Sequence, residues 1–153
     1  MQTSDTSQNK IKKLKLDFKD SKYATGRRKR SIAKVWVKKG SGSIYVNGLK
    51  MNEYFKRPVH QIIVTRPLEI SQVTSNYDVK CSVKGGGLSG QAGAIILGIS
   101  KALIAHDENL KKGLKKDKLT TRDSRVVERK KYGHRKARSC LLYTSDAADE
   151  SVR

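Results

Sequence analysis

A chain of 153 residues with 34 Lys and Arg against 14 Asp and Glu carries a formal charge of +20. The length suits one compact domain with extensions rather than two full domains, and 36% hydrophobic residues beside 31% charged ones allow only a modest core. The most apolar run, residues 90–105, is interrupted by Gln91, Ser100 and Lys101, short of the ~18 residues of a membrane span, so an integral membrane protein is excluded.

Residues 1–21 are polar and then Lys-rich, with Ile11, Leu14 and Phe18 spaced for at most a short helix, which predicts a flexible extension. The stretch has no apolar segment of the signal-peptide kind, contains no Arg and carries Asp5, Asp17 and Asp20; neither a secretory nor a mitochondrial leader fits, and a cytoplasmic setting is expected. From Ser31, the run Ile32, Ala33, Val35, Trp36 and Val37 predicts a strand ending at Gly40-Ser41-Gly42, and residues 43–46 predict a second, closed by Asn47-Gly48. The two are expected to form a hairpin, Asn-Gly being a dipeptide that tolerates positive φ. Residues 49–55 predict a short helix with Met51, Tyr54 and Phe55 inward, and Pro58 opens another through Val59, Ile62 and Ile63. Pro67 is expected to break it, because the residue before proline is pushed out of the α region, leaving a third helical stretch over residues 68–73.

Residues 77–84 alternate cleanly: Tyr77, Val79, Cys81 and Val83 on one face, Asp78, Lys80, Ser82 and Lys84 on the other. That predicts a half-buried strand in which Cys81 is a small core residue rather than a reactive thiol. Cys81 and Cys140, the only cysteines, form no disulfide framework and no Cys-x-x-Cys metal spacing. A helix over residues 89–106 follows, apolar on nearly every side and so expected to lie buried across the sheet, with Gly90, Gly93 and Gly98 marking close backbone packing. Residues 107–118 predict a short Lys-rich surface helix, and Thr120-Thr121-Arg122-Asp123 a weak capping box for a final turn or helix.

The positive charge is clustered. Residues 22–39 hold eight basic side chains and no acidic one, among them Arg27, Arg28, Lys29 and Arg30. Residues 122–138 hold eight more, Arg122, Arg125, Arg129, Lys130, Lys131, Arg135, Lys136 and Arg138, against Asp123 and Glu128. Charge of one sign at this density points to a polyanion, nucleic acid foremost. An anionic membrane surface would instead require a basic amphipathic helix with aromatic residues opposite, whereas the only tryptophan, Trp36, lies in a strand-like segment.

Gly85, Gly87 and Gly90 spell Gly-x-Gly-x-x-Gly between a strand and a helix, with Asp107 further on, as in a dinucleotide-binding fingerprint. The fingerprint needs a second parallel strand after the helix, and the chain enters Lys111-Lys112 and Lys115-Lys116 instead, so no nucleotide cofactor is expected. Lys84, Gly85, Gly86 and Gly87 are candidates for approach to an RNA phosphate through backbone amides and the helix N-terminus. His60, His106 and His134 are scattered and no paired carboxylates or nucleophile motif occurs, so neither an enzyme nor a metal site is expected. His60 is read as a surface or half-buried helix residue. If residues 124–131 are helical, Arg125 and Arg129 share a face for tracking phosphates, Tyr132 is placed to stack on an unpaired base and Gly133 releases an extended arm.

These segments resemble the S-nine family of small-subunit ribosomal proteins in its bacterial form. The resemblance rests on Tyr23-Ala24-Thr25-Gly26-Arg27-Arg28-Lys29, Val46-Asn47-Gly48, Glu53-Tyr54-Phe55, Arg66-Pro67-Leu68-Glu69, the run from Val83 through the glycines to Ala94, and residues 119–133 with Arg135-Lys136-Ala137-Arg138. It implies an α+β fold of the ribosomal S5 domain 2-like type, a two-layer core over residues 22–121 with a basic RNA-binding arm over 122–138. It further implies binding to small-subunit rRNA in the subunit head, the tenth and fourteenth small-subunit proteins as neighbours, and a basic tail reaching toward P-site tRNA. The alternatives are a free RNA-binding protein outside the ribosome and a nucleotide-dependent enzyme using the glycines. Residues 139–153 depart from the family pattern: one Arg against Asp146, Asp149 and Glu150 gives −2 where the family places cations, and the segment is read as foreign, a frameshift or assembly artefact.

Overall fold

The computed structural model describes residues 20–139; the expected flexible extension and nearly all of the acidic tail lie outside them. Five strands form one sheet: β1 (Lys22–Arg28), β2 (Ser31–Lys39), β3 (Ile44–Val46), β4 (Leu49–Lys50) and β5 (Tyr77–Lys84), in the order β1-β2-β5-β3-β4. Four helices accompany it: α1 (Met51–Tyr54), α2 (Pro58–Ile70), α3 (Leu88–His106) and α4 (Leu110–Lys116). One sheet face is buried under helices and the other is open, which makes a two-layer α+β domain of the ribosomal S5 domain 2-like type.

β1 pairs antiparallel with β2 from Lys22↔Val37 to Arg28↔Ser31, joined by Lys29 and Arg30, with Lys29 at φ 51°. Gly26 and Gly98 explain why so basic a segment is a strand at all. A Cβ on Gly26 would collide with the Ala94 carbonyl oxygen and stand 2.6 Å from the Gly98 nitrogen, and a Cβ on Gly98 would stand 2.5 Å from Val35 Cγ2. The two glycines let α3 lie directly on β1 and β2, so the helix packing holds a strand that its own β-propensity would not.

The expected hairpin across Gly40-Ser41-Gly42 does not form. β2 pairs instead with β5, antiparallel from Ile32↔Lys84 to Lys39↔Tyr77, and β3 runs parallel to β5 from Ile44↔Val79 to Val46↔Cys81. Asp78 redirects the chain by accepting hydrogen bonds from the Ser41 and Ser43 amides at 2.9 and 2.8 Å. Asn47-Gly48 is a turn, with both φ positive at 52° and 85°, but it joins β3 to β4. The Asn47 side chain then prolongs the β5 ladder, accepting from the Val83 amide at 2.8 Å and donating to the Val83 carbonyl at 3.2 Å.

α2 runs through Pro67 to Ile70 rather than breaking there. His60, Val64, Pro67 and Leu68 stand at helical spacing and are all buried, so core packing offsets the hydrogen bond that Pro67 cannot donate to the Ile63 carbonyl. The expected third helix is the capped end of α2: the Gln72 amide donates to Glu69 and the Val73 amide to Leu68, with Gln72 at φ 54°. His60 is buried rather than half-exposed, its ring steeply inclined to that of Phe55 with centroids 5.8 Å apart.

β5 has the expected bounds, and Cys81 is buried with its thiol pushed far up by desolvation. In length and composition α3 could cross a membrane, with a mean hydropathy of 1.5, but much of its apolar surface is occupied by the core, where Ala94, Ile95, Ile99, Ala102 and Leu103 meet Val35, Val37, Val79 and Val83. α4 ends in the same kind of cap as α2, with the Leu119 amide donating to Leu114 and Lys118 at φ 57°. Leu119 packs on the core and turns the chain back toward the β1–β2 turn.

Candidate nucleic-acid interface

The weak capping box at residues 120–123 allows a final turn or helix, and the shared face of Arg125 and Arg129 is conditional on a helix from Ser124; residues 122–131 are neither helix nor strand. Arg125 and Arg129 would be like charges one helical turn apart, and Val126 and Val127 would meet no apolar layer, so a helix here has no packing to support it. Asp123 supplies the alternative. Its carboxylate accepts from the Arg125 amide at 2.9 Å and from the Arg125 guanidinium at 2.8 to 3.1 Å, and pairs with Arg28 at 2.8 Å.

Arg28 reaches Asp123 by lying over α3, and Gly93 leaves it the path: a Cβ there would stand 3.0 Å from Arg28 Cγ. The hydrogen bonds from Arg125, with the charges of Arg125 and Arg28, hold the Asp123 carboxyl well below the usual carboxylate range. An ion pair at 22% and 33% exposure thus seats the start of the basic segment beside β1.

From that anchor residues 126–130 form one wall of a groove of about 760 Å³. Lys29 and Arg30 at the β1–β2 turn, with Gly86, Gly87 and Gly90 at the start of α3, form the other. The glycine loop is held rigidly. Ser31 Oγ donates to the Gly85 carbonyl at 3.0 Å and fills the space a Cβ on Gly86 would need, while Gln91 reaches the same carbonyl at 3.3 Å and is itself held by the Tyr54 hydroxyl at 2.7 Å. Gly85 and Gly86 adopt φ of 73° and 64°, open to residues without a Cβ at little cost. Gly87 differs: a Cβ there would meet nothing within 4 Å, so no neighbour in the fold requires its smallness.

Among the described residues no side chain caps α3, whose N-cap residue Gly87 faces the groove. A 19-residue helix places the positive end of its dipole there, with four cations around it: Lys29, Arg30, Arg129 and Lys130. This arrangement suits phosphate: amides and a helix end below, ammonium and guanidinium groups on both rims. The glycine fingerprint has no dinucleotide-binding context, because β5 is followed by α3 and α4 and no further strand occurs among the described residues.

The expected RNA-binding residues therefore separate into groups. Lys29, Arg30, Gly86, Gly87, Arg129 and Lys130 converge on the groove, with Gly85 in the loop beneath. Arg28 and Arg125 are engaged by Asp123, and Lys131 and Arg138 by Glu128 at 2.8 and 3.0 Å, which holds the Glu128 carboxyl below its ordinary range. Arg122, Tyr132, Arg135 and Lys136 are exposed along the segment outside the groove lining, with Gly133 at φ 71° after Tyr132. Arg27 and Lys84 stand on the open face of the sheet, flanking Ile32 in one cross-strand row. Val126 and Val127 in the wall, and Asp123 as anchor, were not singled out from sequence. Two adjacent β-branched residues in a charged run were the available signal for the first. His60 Nε2 lies 3.0 Å from Ser89 Oγ, and among the described residues no partner orients His60 Nδ1, the place that the third group of a nucleophilic triad would take.

Fold and groove define a small basic α+β domain of the ribosomal S5 domain 2-like class. The family model described as Ribosomal protein S9/S16 matches residues 26–145, and the chain belongs to that family. It is a ribosomal protein, a structural constituent of the ribosome, and its family is structural rather than catalytic. The match ends beyond the described residues, inside the segment that departs from the expected pattern.

Proposed function

We propose that this chain is a bacterial-type member acting in the head of the small subunit, where the groove grips the rRNA backbone and the basic segment helps support the P-site tRNA region. The observation that carries the reading is the meeting of basic segments from both ends of the domain at one helix N-terminus. Phosphate contacts dominate the affinity of proteins for nucleic acid, and this groove supplies donors of the right charge on rigid elements. Family membership favours the ribosome over a free RNA-binding role. A cytoplasmic ribosome and contact with the tenth and fourteenth small-subunit proteins belong to the same proposal. Direct tRNA contact is assigned to the basic segment and not to residues 139–153, whose charge of −2 is repelled by phosphate.

The test is binding of a small-subunit rRNA head fragment to a variant with Lys29, Arg30, Arg129 and Lys130 all replaced by Ala. Loss of four phosphate contacts should lower the log-log salt slope by about 3. Unchanged affinity and slope would remove the groove from RNA recognition.

A further inference from the structure

The sheet face opposite the helices is covered by no element among the described residues, and its composition is not that of an ordinary solvated surface. Strand alternation turns Ala33, Val35, Val37, Val79, Cys81 and Val83 into the core, so their neighbours project the other way. Paired positions align these neighbours in rows across the sheet. Tyr23, Trp36, Lys80 and Tyr45 form one row over four strands, Thr25, Lys34 and Ser82 the next, and Arg27, Ile32 and Lys84 a third. The Tyr23 and Trp36 rings lie 5.4 Å apart, with Tyr23 49% exposed and Ile32 44% exposed.

Charge on this face is almost all of one sign. Arg27, Lys34, Lys38, Lys80 and Lys84 stand here, and the carboxylate among them, Asp78, is turned to the amides of Ser41 and Ser43. We infer that the open sheet face is a second RNA-contact surface, taking a single-stranded segment by stacking an unpaired base on the Tyr23–Trp36 pair and meeting its phosphates with Arg27, Lys34 and Lys84. The inference rests on the RNA-binding reading of the groove.

Three observations favour this occupant. Protein–protein interface centres are depleted of charge, whereas the cations here run through the middle of the face. A duplex presents phosphates but keeps its bases stacked on one another, which leaves the aromatic pair without a partner; an unpaired strand uses both features. The third row also adjoins the groove, since Lys84 precedes Gly85 and Arg27 lies two residues before Lys29, so one strand can continue from groove to sheet around the β1–β2 turn.

Trp36 is the only tryptophan in the chain, so its fluorescence reports on this face alone. The experiment titrates the full chain with a single-stranded oligouridylate of roughly eight nucleotides, within the site size of sheet-type binders. Saturable quenching is expected, together with little quenching by a duplex of the same length. Tyr23→Leu should weaken the quenching titration on the order of ten-fold by removing half of the stacking pair. Lys34→Ala with Lys84→Ala should lower its salt slope by about 1.4. Thermal midpoints confirm that each variant is folded. Unquenched Trp36 in a chain that still binds the rRNA fragment overturns this inference alone, as does quenching by an acidic protein but not by the oligonucleotide. A chain that binds no RNA at all overturns the reading beneath it.

Discussion

Removing the basic segment should change the salt dependence of RNA binding more tellingly than it changes affinity at any single salt concentration. The comparison is between a chain ending at residue 138 and one ending at residue 121, so that the acidic tail is absent from both. Eight cations are lost, but their contributions differ. Arg125 is held by Asp123, while Lys131 and Arg138 are held by Glu128; among the described residues no ion pair engages Arg122, Arg129, Lys130, Arg135 or Lys136. With five phosphate contacts at ~0.7 to 0.9 each, the log-log slope should fall by about 3.5 to 4.5. Between 50 and 200 mM salt, a component of the affinity change of about 100-fold to 500-fold should therefore vanish. Leu119 remains in both chains, so the core keeps its last packing residue. Fluorescence anisotropy with an rRNA head fragment at four or more salt concentrations gives the slope directly. A slope that does not change refutes the assignment of these cations to phosphate; a fall of about 5.5 to 7 would show that Asp123 and Glu128 release their partners on binding.

Other expectations concern the frame that holds the interface. Gly26→Ala forces a Cβ into the backbone of α3 and should cost ~3 kcal/mol, the upper end for overpacking, because no flexible side chain is there to move. That lowers the thermal midpoint by about 10 to 20 °C, whereas Gly113→Ala, exposed in α4 with nothing near its Cβ, should raise stability by up to ~1 kcal/mol. Cys81→Ser buries a hydroxyl beside apolar neighbours and should destabilise by ~1 to 3 kcal/mol in urea titration while leaving RNA affinity of the folded fraction unchanged. Asp123 has a depressed carboxyl pKa in the folded chain, so its contribution is present above the ordinary value of about 3.9 and is lost only as pH falls through the lower folded value. Carboxyl-carbon NMR should show Asp123 titrating below that ordinary value, and Asp123→Asn should loosen residues 122–131 to proteolysis at neutral pH; a midpoint at or above the ordinary value contradicts the anchor.

The parts of the fold legible in sequence were those set by local alternation or helical period. β5 could be read to the residue because Tyr77, Val79, Cys81 and Val83 alternate without a break. α3 was readable from its apolar surface, and its glycines meet close neighbours as their helix-weakening character suggested: Gly98 against Val35, Gly90 against Ser31 and Gly93 against Arg28. β1 was not readable, because what makes Gly26 acceptable in a strand is the backbone of α3, some seventy residues away. The β2–β3 hairpin was misread for the same kind of reason: nearness in sequence favoured it, whereas β5 is a longer partner for β2 and the Asp78 carboxylate draws Ser41 and Ser43 toward β5. Pro67 misled because a local rule about its predecessor was weighed without the buried face that keeps α2 together.

The candidate interface was legible as a concentration of charge but not as a groove. Sixteen cations in two stretches pointed to a polyanion, yet sequence spacing could not show that Lys29 and Arg30 face Arg129 and Lys130 across Gly86 and Gly87. Nor could it show that Asp123, which merely lowers the charge count, connects the two stretches through Arg28. The aromatic row on the open sheet face stayed hidden while β1 was unread, since Tyr23 gains its place beside Trp36 only from the β1–β2 register.

Residence in the small ribosomal subunit can be measured in the subunit itself. Quantitative mass spectrometry of small subunits washed in high salt should find this chain at one copy per subunit, because contacts on several sides of the domain release slowly even when single phosphate contacts are screened. Its absence from washed subunits, with the protein recovered in the ribosome-free fraction, would contradict the account.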